Sequence, residues 1–441
     1  MSTPDRLWNR NYCKVMYANF ALFFAFYILT PLLPLYLSTQ FAATKDVIGI
    51  VLSGYSITAL LMRPFSGYVV DTFPRKTVLM VCFTAFAIFF AGYLAASTLL
   101  LFTLVRTLHG GPFGALTVAN ATVAIDVLPS SRRTEGIGYY GLSNNLAMAI
   151  APTIGIFIYT HTHNFELLFW IALAVAVSGL LSDATVTSSK LPKAPSRLQK
   201  KQESPTAGTH METTQTEGTR TETAGTRWER LKVTVSLDRF FLIKGWLLGV
   251  NMVAFGFCFG VLSNYLAIYS KEHLGITGGT GTYFMLCAIG LILSRLQGGR
   301  ALRHGLLTHN AAGGMVISLV GYTLFIAVPT LAPHIVPLTT LSYYGSALLI
   351  GLGNGHMWPA FQNMIIGVAH NNQRGTANST ILVSWDIGMG LGILIGGITA
   401  EHLGYGAAFW SVVAVNAAGV ITFFAATRRF FLLRRLSTDI R

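Results

Sequence analysis

Long runs of apolar residues, interrupted at short intervals by charged, glycine or proline turns, dominate this chain. A helix needs about 20 such residues to cross the hydrocarbon layer of a bilayer. Twelve stretches qualify: roughly 15–38, 47–68, 77–97, 99–127, 135–160, 166–186, 240–270, 278–298, 309–330, 339–368, 374–400 and 406–428. The pattern predicts an all-α polytopic membrane protein. It stops once, at residues 187–235, where TAGTHMETTQTEGTRTETAGTR is rich in Thr, Gly and Glu and almost free of apolar side chains. Such a stretch buries too little apolar surface to offset the entropy of ordering. A disordered cytoplasmic linker is therefore expected between an N-terminal six-helix bundle, 1–186, and a C-terminal one, 236–441.

Composition agrees, with 52% hydrophobic and 11% charged residues. The net charge of +14 would suit a nucleic-acid partner, so the placement of the basic residues decides its meaning. With both termini cytoplasmic, all but three of the 31 Lys and Arg fall in cytoplasmic segments or at cytoplasmic helix ends. Lys45 and Lys271 lie outside and Arg106 within the membrane. That bias fixes topology, and it points to a multi-pass protein of the cell inner (plasma) membrane that binds no nucleic acid. The first apolar run is long and lacks a small-residue cleavage site, so it is expected to stay as a span. Cys13, Cys82, Cys258 and Cys287 have no metal-like spacing and read as packing residues.

The two halves align on each other. Asn19 meets Asn251, Arg63 and Gly67 meet Arg295 and Gly299, and Asp71 meets Arg303. After a shift in register, Arg133 meets Arg374, Gly114 meets Gly355, Ser143 meets Ser384, Asn145 meets Asp386 and Gly155 meets Gly396. Parallel six-span repeats around a central site are a transporter architecture. Arg63 to Lys76, RPFSGYVVDTFPRK, reads as a tight cytoplasmic hairpin between spans 2 and 3.

On these residues the chain resembles the major facilitator superfamily, in particular its twelve-span drug:proton antiporter branch. The family loop G-x-x-x-D-x-x-G-R-R/K is matched by Gly67, Asp71, Arg75 and Lys76, with Pro74 in place of the second glycine. Asp71 is expected at the positive start of span 11, just after Arg374, where a carboxylate stabilises by roughly 0.3–1 kcal/mol. Arg75 is expected near Asp126. Together these groups, headed by Arg63, would latch the halves on the cytoplasmic side. In the second copy, Glu135 would neutralise Arg303. A span 5 signature of the branch is matched by Gly138, Ala147, Ala151, Pro152 and Gly155, where small residues allow close helix packing. Span 4 resembles a third pattern, R-x-x-Q-G, in Arg106, His109 and Gly110, with histidine in the glutamine position, and the resemblance implies a role for Arg106 in proton coupling or anionic substrate groups.

Asp386 lies about 12 residues into span 11, some 18 Å deep at about 1.5 Å per residue. It is the acidic residue placed near mid-membrane, where taking a proton is the cheapest way to shed its charge. Asp386 is the first candidate for the proton-coupling group, with His109 second. The resemblance places a substrate cavity among spans 1, 4, 7 and 10. Asn19, Phe23, Phe26, Asn145, Asn251, Phe255, Asn354 and Trp358 are positioned to line it. The expected function is export of a small organic or amphipathic compound in exchange for protons by alternating access, with a proton-coupled importer as the alternative and a non-transporting sensor or enzyme as a remote one. No nucleotide-binding motif or paired catalytic groups stand in the sequence. The protein is therefore expected to be no enzyme, to need no cofactor or metal beyond a proton gradient, and to work as a monomer.

Overall fold

A computed structural model describes residues 6–129, 132–187, 241–276, 279–303, 306–369 and 374–435. The expected linker, apart from Thr187, lies outside them. The first apolar run is split into α1 (Arg10–Tyr27) and α2 (Leu33–Phe41) rather than forming one span. Pro31 supplies no N–H and its ring clashes with the turn before it, so the helix stops short of it. The break exposes the carbonyl of Ile28, and Gly155 of α6 packs on it so closely that an added Cβ would lie 2.4 Å away. The rest of the first half is α3 (Lys45–Thr72), α4 (Arg75–Ala95), α5 (Leu99–Val127), α6 (Arg133–Thr162) and α7 (Phe165–Ala184).

The second half holds α8 (Trp246–His273), α9 (Gly279–Arg303), α10 (Leu307–Leu331), α11 (Val336–Val368), α12 (Arg374–Thr422) and α13 (Arg428–Arg434). Helix α12 is two arms separated at Gly404, whose φ of 84° suits a residue without Cβ. Helix α8 runs parallel to the first arm, with Gly256 beside Trp385 and Gly260 beside Met389. It runs antiparallel to the second, with Asn251 beside Gly419 and Cys258 beside Val412. The arms are thus the eleventh and twelfth spans. Eight stretches among the described residues are long and apolar enough to cross a membrane. Length and hydropathy alone single out eight of the twelve because the first run is split, the apolar part of α9 is shorter, α11 is rich in polar residues and glycine, and the last two spans are joined.

The expected hairpin at Arg63 is a correction. Helix α3 continues through Thr72, and only Phe73 and Pro74 separate it from α4. Arg63 therefore sits inside a span and is buried, 8% exposed. Helix α3 runs through Pro64 unbroken, as membrane helices can where neighbouring helices satisfy the freed carbonyls.

Helices α3 and the first arm of α12, one from each half, form the main seam. Call the side where α1 begins and α7 ends the linker face, since Lys14 there donates to the Thr185 carbonyl at 2.7 Å. On the opposite, far face, Glu401 accepts the backbone N–H of Lys45 at 2.9 Å. Further in, Gly49 packs on the carbonyls of Ile393 and Leu394, and Gly390 faces Ser56. A second contact joins α6 to α9 through Thr153, which donates to the Gly281 carbonyl at 2.9 Å.

Glu401 caps α3 across the seam. Thr44, the residue before α3, gives no side-chain cap because its hydroxyl is turned to Asp46. A carboxylate at a helix N-terminus stabilises by roughly 0.3–1 kcal/mol. Glu401→Gln is expected to raise the far-face-open population roughly two- to fivefold. Spin-label distances across the far face check this, and an unchanged distribution would remove Glu401 from the closure.

Candidate functional site at the seam between the halves

At the inner end of the seam Arg63 of α3 meets Asp386 of α12, with Nε 2.6 Å from Oδ2. The side chains are 7% and 11% exposed. Neither atom has a partner in hydrogen-bond alignment, so this is a close ion pair that does not meet hydrogen-bond geometry. A buried pair of this kind is neutral only while both partners are charged, and losing one strands the other.

Two turns from Arg63 along α3, the buried ring of Tyr55 lies under the guanidinium of Arg106, 4.1 Å from its centroid. Phe26 of α1 is 5.8 Å from the same group and stacks on Tyr55 at 5.2 Å. The charges of Arg106, Asp386 and Arg63 all act on the Tyr55 hydroxyl, which has no partner of its own. Arg106 donates to the Tyr93 hydroxyl at 3.2 Å, its Nε is unpartnered, and no carboxylate pairs with it among the described residues. Cation–π contact and one hydrogen bond therefore hold a buried charge that has no counter-charge among the described residues.

His109 lies behind Arg106. Its Nδ1 is 2.8 Å from the Tyr93 hydroxyl, and its ring is packed among Phe86, Phe89 and Phe90 at 4.7, 5.2 and 4.9 Å. The Tyr93 hydroxyl accepts from Arg106 and shares a second hydrogen bond with His109 Nδ1, whose donor depends on the histidine tautomer. This closed aromatic box suits a packing histidine better than a group exchanging protons.

Several expected cavity residues are committed to helix packing instead. Asn19 donates to Ser143 Oγ at 2.8 Å and ties α1 to α6. Asn251 donates to the Gly419 carbonyl at 2.9 Å and accepts from Thr427 at 2.6 Å, at a π-helical turn over Phe423–Thr427. Phe255 packs on Phe361. The resemblance placed these residues at the cavity, but a membrane interior favours a partner for each amide: Asn251 finds one on each side, while Asn19 donates to a hydroxyl and leaves its Oδ1 buried without a partner. Phe23 and Phe26 pack on Phe113 at 5.8 and 5.0 Å, and Trp358 meets Trp385 edge-on at 5.0 Å. Asn354 Oδ1 is buried without a partner, and Asn145 is half-buried.

On the linker face Arg75 Nη1 lies 2.5 Å from both oxygens of Asp126 and joins α4 to α5. Lys76 donates to the carbonyls of Ala184 and Val186 at 2.9 and 2.6 Å, a cation on the negative end of α7. In α6, Ala147, Ala151 and Pro152 are buried, as close packing requires. The side chains of Gly67, Asp71, Arg133, Glu135, Gly138, Arg295, Gly299, Arg303 and Arg374 lie outside the described residues, and with them the expected pairings of Asp71 and Arg303. Sequence reasoning missed Tyr55, whose ring faces Arg106, and Tyr93, whose hydroxyl accepts from it, and missed Arg63 as the partner of Asp386. It also missed Asp183, fully buried near the end of α7 with both oxygens unpartnered. A lone aspartate in an otherwise apolar span was the available signal.

The sequence profile of the Major Facilitator Superfamily matches residues 15–340 and 309–435. The staphylopine export protein of Staphylococcus aureus (strain Mu50 / ATCC 700699) is 22% identical over 366 residues, 82% of this chain and 83% of that protein. Among solved structures, a bacterial homolog of the human lysosomal transporter Spinster, in an inward-facing and unoccupied conformation, superposes with a TM-score of 0.70 at 14% identity and covers 100% of both chains. A mutant of the peptide transporter POT in complex with sulfate gives 0.72 at 14% identity, covering 99% of this chain and 98% of that one.

Proposed function

The chain belongs to the major facilitator superfamily, and from that premise we propose that it exports a small organic compound in exchange for protons, with Asp386 as the group that takes and gives the proton. The observation that carries this reading is the ion pair between Arg63 and Asp386, one residue from each half, buried at the seam. Protonation removes the charge of Asp386 and with it the attraction that holds α3 to α12 at that depth. Deprotonation restores it. A titratable bond between two bodies that must part and rejoin is what proton-driven alternating access needs.

With the linker face cytoplasmic, the arrangement here, shut at Glu401 and paired at Asp386, is the stage after a proton has left inward. Substrate then loads from the linker face between the aromatic walls of the two halves. Outward opening exposes Asp386 to external protons; a protonated Asp386 keeps the pair broken, and loss of that proton inward lets the pair re-form and resets the carrier. The similarity to an export protein over most of both chains supports the direction.

One observation favours the opposite direction. The described centre holds two guanidiniums and one carboxylate, so protonating Asp386 strengthens its attraction for an anion, and an anion and a proton would then load together. Proton flux in everted vesicles decides. Exchange predicts alkalinisation of the lumen when substrate is added, and co-transport predicts acidification.

A further inference from the structure

Asp183 of α7 takes no part in the seam. It is fully buried, and both its carboxylate oxygens are unpartnered. Asn120 of α5 is equally buried, and neither its Nδ2 nor its Oδ1 has a partner. Helices α1, α5, α4 and α7 each pack on the next and close into a ring. Asp183 lies one turn beyond Gly179, whose added Cβ would meet Phe83 of α4 at 2.7 Å and Ala21 of α1 at 2.9 Å. Asn120 lies two turns beyond Phe113, whose ring meets Phe86 of α4 at 6.1 Å and Phe26 of α1 at 5.0 Å. Residues one or two turns apart share a helix face, so both side chains point into the ring. They are also level. The contact of Phe83 with Gly179 on one side, and those of Phe86 with Phe113 and Arg75 with Asp126 on the other, set both beside Leu79 of α4.

An ionised Asp183 would have no counter-charge in this setting. Lys76 of α4, whose charge acts on it, donates instead to the Ala184 and Val186 carbonyls, and Lys14 of α1 donates to the Thr185 carbonyl. Tyr12 of α1 donates to the Gly136 carbonyl, and from α6 the Tyr140 hydroxyl lies within range of the Asp183 charge. The Asp126 carboxylate, at the same end of α5, is taken by Arg75. No cation pairs with Asp183 among the described residues, and a bare carboxylate is costly to bury. A neutral carboxyl is one donor and one acceptor, and a carboxamide is its complement. One added proton therefore lets the carboxyl and the carboxamide satisfy each other. A metal ion at the carboxylate would leave the Asn120 N–H groups without an acceptor.

We infer that Asp183 and Asn120 form a second proton-binding site, apart from the seam, in which the neutral Asp183 carboxyl and the Asn120 carboxamide join α7 to α5 inside the N-terminal half. Lys76, in the first turn of α4, lies between this site and the linker face. Loss of the proton turns Lys76 from the α7 carbonyls to the carboxylate and uncaps the end of α7. The site thereby couples pH on the linker face to the place where the chain leaves the first bundle. It is independent of the exchange reading, which uses Asp386 alone.

The test uses the purified full chain in lipid nanodiscs, as wild type, Asp183→Asn and Asn120→Leu. Infrared difference spectra of the wild type against Asp183→Asn are expected to show the C=O band of a protonated carboxyl at neutral pH. Asn120→Leu should move that band to higher frequency by removing its hydrogen-bond partner. Thermal unfolding gives a second reading that needs only Asp183→Asn, a neutral isostere. The unfolded chain releases the Asp183 proton near about pH 4 and the folded chain keeps it, so the wild type should lose about tenfold in its folding equilibrium per pH unit against Asp183→Asn above that point. The same slope is expected in sodium, potassium and lithium salts. Absence of a carboxyl band that Asp183→Asn removes, a band indifferent to Asn120→Leu, or a stability difference constant with pH would overturn the assignment. A difference that follows the alkali cation instead of pH would mean a metal-ion site and would overturn it equally.

Discussion

Asp386→Asn is expected to be the most damaging conservative substitution at the seam, costing roughly 3–5 kcal/mol of stability by stranding Arg63 and abolishing proton-driven transport. Arg63→Met should behave differently. A stranded carboxylate can take a proton, but a guanidinium keeps its charge at any working pH. The stability of the Arg63→Met protein is therefore expected to rise on acidification, while that of the Asp386→Asn protein takes no pH dependence from this site. Combining Arg63→Met with Asp386→Leu removes both charges and should recover most of the lost stability without restoring proton coupling. Thermal unfolding of the four proteins across pH checks the pattern. Equal pH response in both single variants would mean that the pair is not the ionised bond described here. The same Asp386→Asn protein also separates the two directions of transport. Tighter binding of the transported compound than in the wild type would indicate co-transport, and weaker binding would indicate exchange.

Gly110→Leu is expected to be the second large effect, about 3 kcal/mol or more, at the upper end of overpacking penalties. An added Cβ at Gly110 would fall 2.0 Å from the Tyr55 carbonyl and 2.3 Å from Thr58 Oγ1. Thr58 is itself held there by a hydrogen bond to the Thr107 carbonyl. Backbone cannot step aside as a flexible side-chain tip can, so α3 and α5 must separate, and Tyr55 leaves Arg106 as they do. Gly141→Leu is the matching control, because nothing lies within 4 Å of its added Cβ. It should be neutral or gain up to about 1 kcal/mol from helix propensity. Unfolding temperatures of the two variants check the contrast, and similar values would contradict the packing account.

The spans were legible because crossing a bilayer imposes a length and a polarity that few residues can violate. Where they were misread, local signals competed with tertiary ones. Thr30-Pro31 split the first run although its apolar character continued, and Pro64 failed to end α3 although it sits in a turn-like string. The site was legible in part. Asp386 stood out as a deep carboxylate, and Arg106 as a deep cation. Internal alignment had already matched Asn145 to Asp386 and Arg63 to Arg295. Placed together, those two matches put a charge-bearing pair on one seam and an amide at the equivalent place on the other, but the reading of Arg63 as a loop residue hid this. The tyrosines were illegible because their role depends on which neighbour their ring covers, and helical spacing alone carries no such information. The partners of Asn19 and Asn251 were illegible for the same reason, since each lies more than a hundred residues away.

The central claim is that the proton makes and breaks the bond between Arg63 and Asp386. Spin labels at Thr162→Cys and Leu331→Cys, on the far-face ends of α6 and α10 in opposite halves, report the separation of the halves without any substrate. In a background free of native cysteines, acidification of the otherwise wild-type protein is expected to shift the distance distribution toward far-face opening. The Asp386→Asn protein is expected to show one distribution at every pH. A pH-dependent shift that survives Asp386→Asn unchanged would contradict the account.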